Sequence, residues 1–314
     1  MHAASTALLV DNRFLGHDTG QHPEHPRRMA AIQLALREAG VLSDRPNVDI
    51  GPATDEQILR VHTDRHLARL ERAVKAGGAW IDADTLVAPD SLDVARLAAG
   101  AAVAAVDAVV NDSIQRAFCI GRPPGHHATR DRAMGFCLLN SAAIAAAHAR
   151  ALGIERVAII DWDVHHGNGT QHIFYRDPDV WYASLHQSPL YPGTGDRSET
   201  GADDGFGTTL NCPLPPMSGN KEWLGAMLDV VVPFIEKAEP GLILLSAGFD
   251  AHRDDPIGRC RVDDDGFAEL TRVVTDMADR HTGGKVIAVL EGGYDPDALG
   301  RSVVRSLQAL DGAN

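Results

Sequence analysis

RVAIIDWDVHHGNG, residues 156–169, joins two kinds of sequence in fourteen positions. Val157 to Ile160 is a short apolar run rich in β-branched side chains, which reads as a buried strand of a parallel sheet. The run stops at Asp161, Trp162, Asp163, Val164, His165 and His166. If the chain stays extended, Asp161, Asp163 and His165 share one face, because strand side chains alternate. Asn168 and Gly169 suit a turn that leaves the strand. Ligands of open α/β sheets bind beyond the carboxyl ends of the strands. Two carboxylates and an imidazole at that place point to a divalent metal with oxygen and nitrogen ligands. Taken alone, the same residues could be a solvated strand end, so the rest of the chain has to decide.

Working outward, the design repeats. Ala117–Ile120 is an apolar run leading into Gly121-Arg122-Pro123-Pro124-Gly125-His126-His127. Leu242–Leu245 leads to Asp250, and Val286–Leu290 leads to Glu291-Gly292-Gly293-Tyr294. Ala7–Val10 and Val180–His186 read as two more strands. Between them lie helical patterns: 28–38, 54–62 with a Thr54/Gln57 capping box, 66–76, an Ala-rich 91–110, 141–152, 220–237 with Pro233 as a kink or restart, 264–281 and 296–310. Segments 11–26, 77–89 and 188–207 are rich in Gly, Pro and Asp and read as loops. Histidines scattered in the first of these, His17, His22 and His25, are expected to be solvated rather than ligating. The alternation predicts an α/β fold with a mainly parallel sheet and helices on both faces, one domain over 1–314. Four strand ends carrying chemistry would then meet at one rim.

Composition narrows the partners. With 314 residues and a net charge of -14, the chain is a poor nonspecific binder of nucleic acid. Its four cysteines, Cys119, Cys137, Cys212 and Cys260, are widely spaced, which suggests free thiols in a reducing, cytoplasmic setting. No signal-peptide pattern and no membrane-length apolar run is read, so no membrane partner is expected. The 188–207 loop could line a channel or form a subunit contact, leaving a homo-oligomer open.

The residues at the four ends specify a reaction type. Asp163, His165 and Asp250 would give three protein ligands and leave a position open, as catalytic metal sites do. Zinc suits this mixed set, with Fe(II), Co(II) or Mn(II) as alternatives. His126 and His127 could act as general base and acid, and Tyr294 could donate to an oxyanion. Together these describe metal-assisted hydrolysis of an amide or ester.

At these residues the chain resembles the metal-dependent histone deacetylase and acetylpolyamine amidohydrolase superfamily, in its class II-like branch. The matching blocks are HDTGQHPEHPRR (17–28), GRPPGHHA (121–128), GFCLLN (135–140), DWDVHHGNGTQ (161–171), SLH (184–186), YPGTG (191–195), SAGFDAH (246–252) and EGGY (291–294). The resemblance implies an arginase-deacetylase-like fold and Zn²⁺ held by Asp163, His165 and Asp250. It implies His127 as general base and then acid, His126 supported by Asp161, and Tyr294 as oxyanion donor. Asp161, Ser184 and Leu185 match positions that hold a structural K⁺. Phe136 and Tyr191 match aromatics flanking an acyl-lysine channel, and the Gly135 carbonyl one that accepts the scissile amide N–H. Arg28 resembles an arginine beneath the site. Asn168 stands where class I-like members have an acid beside the second histidine. Ile257, after Asp255-Pro256, stands where acetylpolyamine-selective relatives can carry a glutamate.

The resemblance therefore implies a deacylase for acetyl-lysine peptides or small acylated amines. The first rival is an acetylpolyamine deacetylase, in which Asp82 or Asp84 would supply the missing charge. The second is a binuclear ureohydrolase, suggested by Asp250-Ala251-His252-Arg253-Asp254. The third is a scaffold that binds acyl-lysine without turnover.

Overall fold

The apolar runs become strands that lie side by side in parallel. The computed structural model describes residues 6–312. In chain order the strands are β1 (Ala7–Val10), β2 (Ala79–Trp80), β3 (Leu86–Val87), β4 (Arg116–Ile120), β5 (Val157–Asp161), β6 (Val180–Gln187), β7 (Thr209–Leu214), β8 (Leu242–Ala247) and β9 (Val286–Leu290). Seven form one sheet in the order β1-β4-β9-β8-β5-β6-β7, and β2 and β3 make a separate antiparallel pair. Every residue of β4, β5, β8 and β9 is buried. A strand buried at successive positions has both faces covered, which is why these runs do not alternate.

The helices supply the cover. They are α1 (Arg27–Glu38), α2 (Asp55–Leu59), α3 (Asp64–Lys75), α4 (Ser91–Val110), α5 (Ser141–Ala151), α6 (Asn168–Phe174), α7 (Asn220–Ala226), α8 (Val232–Ala238), α9 (Asp264–His281) and α10 (Pro296–Leu310). Helices α4 and α5 pack on each other and on the sheet, while α1, α10 and α9 pack in sequence. The α4 sequence is almost all small and apolar, and it is buried on most sides. Thr54 and Gln57 do form the expected capping box at α2. A five-residue π turn (Met227–Val231) precedes Pro233, so the proline restarts the helix rather than breaking it.

The β2–β3 hairpin, strand β7 and helix α6, which begins at the Asn168 turn, are not read from the sequence. The 77–89 loop contains the β2–β3 hairpin, too short to show a period. Strand β7 contains Pro213; it lies at the sheet edge, where a missing N–H is tolerated.

The sheet order is what matters for chemistry. β4, β9, β8 and β5 are consecutive neighbours, although 117–120 and 286–290 are far apart in sequence. Cys119 pairs with Val289, Ala247 with Leu290, and Asp161 with Ser246. The four strand ends are therefore level with one another.

Candidate active site

Asp161 is the last residue of β5, so the extended backbone stops there. This corrects the expectation that Asp161, Asp163 and His165 share a face by alternation. Past Asp161 each acid caps the backbone two residues on: Asp163 N donates to Asp161 Oδ1 (3.1 Å) and His165 N to Asp163 Oδ1 (2.9 Å). Such side-chain turns are a habit of aspartate. They swing Asp161 toward His126 and leave Asp163 and His165 together.

Asp250, beyond β8, joins that pair. The ligand atoms of Asp163, His165 and Asp250 lie within 4.8 Å of one another, all buried. His165 Nδ1 is 3.0 Å from both Asp163 Oδ1 and Asp250 Oδ2. Asp250 Oδ1 accepts from Val164 N (2.8 Å), and Asp163 Oδ2 from Gly292 N (2.8 Å). Asp250 Oδ2 is buried and, apart from that 3.0 Å approach of His165 Nδ1, makes no well-directed hydrogen bond. A buried carboxylate oxygen this poorly satisfied is costly unless a cation meets it. Burial disfavours charge on His165, yet Asp163 and Asp250 push it up to about 10. The cluster demands positive charge, and its donor types fit a divalent transition metal.

His126 and His127 stand over it, ring centroids 4.0 Å apart. His126 Nδ1 meets Asp161 Oδ2 at 3.1 Å, and Tyr182 Oη donates to the same oxygen at 3.0 Å. Burial opposes a charged His126, but Asp163 and Asp161 hold its pKa well above the usual value. His127 is the reverse: burial, then the positive charges of His126 and His165, hold it well below. Its Nδ1 lies 2.7 Å from Asn168 Oδ1, an acceptor, so the proton sits on Nδ1 and Nε2 carries the lone pair. Two adjacent imidazoles tuned in opposite directions suit one to carry charge and the other to accept a proton.

Tyr294 follows β9 and is buried. Its ring meets Phe136 edge-on at 5.6 Å, and the Arg28 guanidinium lies 5.0 Å from its centroid. No hydrogen bond of its hydroxyl is found among the described residues, so the group is free to donate to a ligand. Gly293, at φ 122°, makes the bend that no L side chain accepts readily. Gly135 is equally constrained: φ is 55° and a Cβ would strike the His127 ring. Phe136 itself is left-handed at φ 69°, held by Thr85 Oγ1, which accepts from its N–H at 3.1 Å. Tyr191 is 38 % exposed, with its ring edge-on to His127 at 5.1 Å. His186 Nε2 and the Gly195 carbonyl, 3.1 Å apart, tie the Tyr191 loop to β6. The Gly135 carbonyl accepts from the Cys137 thiol (3.2 Å). Ile257 is half-buried, its N–H donating to Asp255 Oδ1 at 2.9 Å. Asp161 lies opposite Ser184 in the β5–β6 register, beside Leu185. Asp163, His165, Asp250, His126, His127, Gly135, Phe136, Tyr191 and Tyr294 are linked by these contacts around the carboxyl ends of β4, β5, β8 and β9.

Other expectations need correcting. Of the histidines in the 11–26 loop, His17 is buried rather than solvated, while His22 and His25 are half-buried. Glu24 is fully buried and accepts from Arg122 Nε (2.8 Å) and Nη2 (2.7 Å) and from Arg28 Nη1 (3.1 Å), with His17 Nε2 at 3.3 Å. Arg28 also donates to the carbonyls of Gly293 (2.6 Å) and Glu291 (2.5 Å). These partners are up to 265 residues apart, so no local pattern announces them. Despite burial, Arg122 and His17 hold the Glu24 carboxyl well below its usual pKa. Glu24→Ala would leave two buried guanidiniums uncompensated and is expected to cost about 3–5 kcal/mol in urea unfolding. A loss under about 1 kcal/mol, as at surface ion pairs, would show the network to be dispensable.

Glu291, the first residue of the EGGY block, is buried and fully engaged. Its Oε2 accepts from Gly125 N (2.6 Å) and His126 N (3.1 Å), and its Oε1 from Ser246 Oγ (3.0 Å). It pins the loop that presents both histidines. Asp82 is engaged by Arg132 (3.0 Å), and Asp84 Oδ1 accepts from Gly135 N (3.1 Å) and Thr85 Oγ1 (2.8 Å). Asp254 is turned away, 52 % exposed and 3.6 Å from His252 Nδ1, so the binuclear arrangement is not assembled there.

Comparison with known proteins bears on the whole chain. The sequence profile described as "Histone deacetylase domain" matches residues 22–310. A "Probable deacetylase" of Methanothermobacter thermautotrophicus is 46% identical over 94% of this chain and 88% of its own length. The mouse "Polyamine deacetylase HDAC10" is 36% identical over 97% of this chain and 47% of its own. The solved HDA15 HD domain superposes with a TM-score of 0.94 at 37% identity, covering 99% of this chain and 89% of that one.

Proposed function

The chain belongs to the histone deacetylase domain family, and from that premise we propose that it is a zinc-dependent deacylase acting on acetyl-lysine side chains or related acylated amines. It is an amide hydrolase of the arginase-deacetylase-like α/β fold. The observation that carries the reading is the buried cluster of Asp163, His165 and Asp250, with Asp250 Oδ2 making no well-directed hydrogen bond, beneath two oppositely tuned histidines.

Asp163, His165 and Asp250 would hold the metal, which when bound acidifies water and polarises a carbonyl. His127 Nε2 takes the proton of the attacking water, its Nδ1–H fixed by Asn168. His126, charged against Asp161, adds positive potential where negative charge develops. Tyr294 donates its hydroxyl hydrogen to the carbonyl oxygen as that oxygen gains charge. His127 then passes its proton to the departing amine nitrogen. Phe136 and Tyr191 would line the path of the acyl-bearing chain, and the Gly135 carbonyl would accept the scissile N–H. A structural K⁺ would be held around Asp161, Ser184 and Leu185, chiefly by backbone carbonyls.

Acyl-lysine is favoured over acetylpolyamine because Ile257 supplies no charge for a distal ammonium, while Asp82 is already paired with Arg132. The test is a comparison of kcat/KM on acetyl-lysine peptides and on acetylated putrescine and spermidine, using metal-loaded protein. Strong preference for peptide supports the reading, and preference for the polyamine replaces it with the polyamine deacetylase. Metal analysis of the same sample is expected to give one transition metal per chain. Asp250→Ala should lose that metal and the activity together; two metals per chain would favour the ureohydrolase arrangement instead.

A further inference from the structure

Asp255 is buried at 8% exposure and lies in none of the roles above. Its Oδ1 accepts from Ile257 N at 2.9 Å and Gly258 N at 3.4 Å. That half is an ordinary aspartate turn. The other half is not: Oδ2 accepts from Tyr294 N at 2.6 Å, across 39 residues. A turn-capping acid has no need of that bond. One carboxylate therefore ties the backbone of Tyr294 to the segment carrying Ile257.

The rest of the Tyr294 loop shows why this tie matters. Gly292 N is fixed by Asp163 (2.8 Å) and the Gly293 carbonyl by Arg28 (2.6 Å). Tyr294 N is the next backbone group, and Asp255 is its acceptor. The glycines before it give the loop freedom, so the phenol is only as well placed as these anchors make it. Displacing a reacting group by about 1 Å can cost about a hundredfold in rate.

We propose that Asp255 is a positioning residue that sets the Tyr294 hydroxyl for the reaction and holds Ile257 at the same time, so that the oxyanion donor and the substrate-selecting loop are registered by one carboxylate. The inference rests on the deacylase reading for its catalytic half. Asp255→Asn is the direct probe. An amide can accept on one side only, and its NH₂ opposes the N–H of Tyr294 or of Ile257 on the other.

Asp255→Asn is expected to lower kcat about tenfold to a hundredfold with KM little changed, the signature of an interaction realised in the transition state. In a Tyr294→Phe background the same change should cost less than about threefold, because the group it positions is gone. Equal losses in both backgrounds would overturn the proposal. Should Asp255→Asn fail to fold, Asp255→Ser makes the same comparison, since a hydroxyl can still serve the Ile257 turn. Amide hydrogen exchange gives a readout that needs no activity. Peptides covering Tyr294 and Ile257 should exchange faster in the variant while the core strands do not. Unchanged exchange at Tyr294 overturns the link. Absence of turnover in the unmodified protein would sink the deacylase reading alone, and exchange would still judge Asp255.

Discussion

His127→Ala is expected to lower kcat by about 10²- to 10⁴-fold, the usual contribution of a positioned general base, while leaving the fold and the metal content intact. The side chain touches the ligand cluster only through ring contacts, 5.7 Å from His165. In the proposed mechanism it accepts and returns one proton. Burial and neighbouring positive charge hold its pKa well below 6.5. A depressed pKa means that the neutral, proton-accepting form already prevails at neutral pH. The acid limb of kcat/KM is therefore expected below pH 6.5, and it should vanish from the residual activity of His127→Ala. Asn168→Asp gives the sign in the other direction. A carboxylate at that acceptor favours the imidazolium, raises the His127 pKa and moves the acid limb to higher pH. Near-normal turnover in His127→Ala, or a limb that does not move with Asn168→Asp, would remove His127 from the base role.

Tyr294→Phe is expected to lower kcat by about 10²- to 10³-fold, as loss of one oxyanion donor does elsewhere. The ring keeps its contacts with Phe136 and Arg28, so packing and stability should change little. Because the hydroxyl finds no hydrogen-bond partner among the described residues, its removal strands no other group. The loss should fall equally on kcat and kcat/KM, since the bond strengthens as charge reaches the carbonyl oxygen. A variant whose KM rises while kcat holds would make Tyr294 a binding residue and nothing more.

Much of this site was legible before any coordinates. An apolar run that stops at charged or aromatic side chains marks a strand end, and four such stops flagged Asp161 to His165, His126–His127, Asp250 and Tyr294. Spacing along one segment is a local property, so it survives in the sequence. The illegible part was nonlocal or too short. The edge strand β7 was not read at all, and two-residue strands hid the β2–β3 hairpin. Loop histidines looked solvated because composition cannot say that Glu24, Arg28 and Arg122 will meet beneath them. Alternation past Asp161 failed because aspartate can cap its own backbone, and that choice costs nothing that a sequence period records.

The sequence by itself determined the elements, the residue types at their ends and, through its blocks, the chemistry to expect. Only the tertiary structure decided which ends are neighbours. β9 and β8 insert between β4 and β5, and this order sets His126, Tyr294, Asp250 and Asp163 around one point. It also gave the two adjacent histidines opposite electrostatic environments. His126 and His127 are adjacent and identical in type, yet one faces Asp161 and the other Asn168. The physical reason is the same in both cases. Strand pairing and electrostatic environment are sums over groups distant in sequence, and they take a value only when folding removes water and brings those groups together.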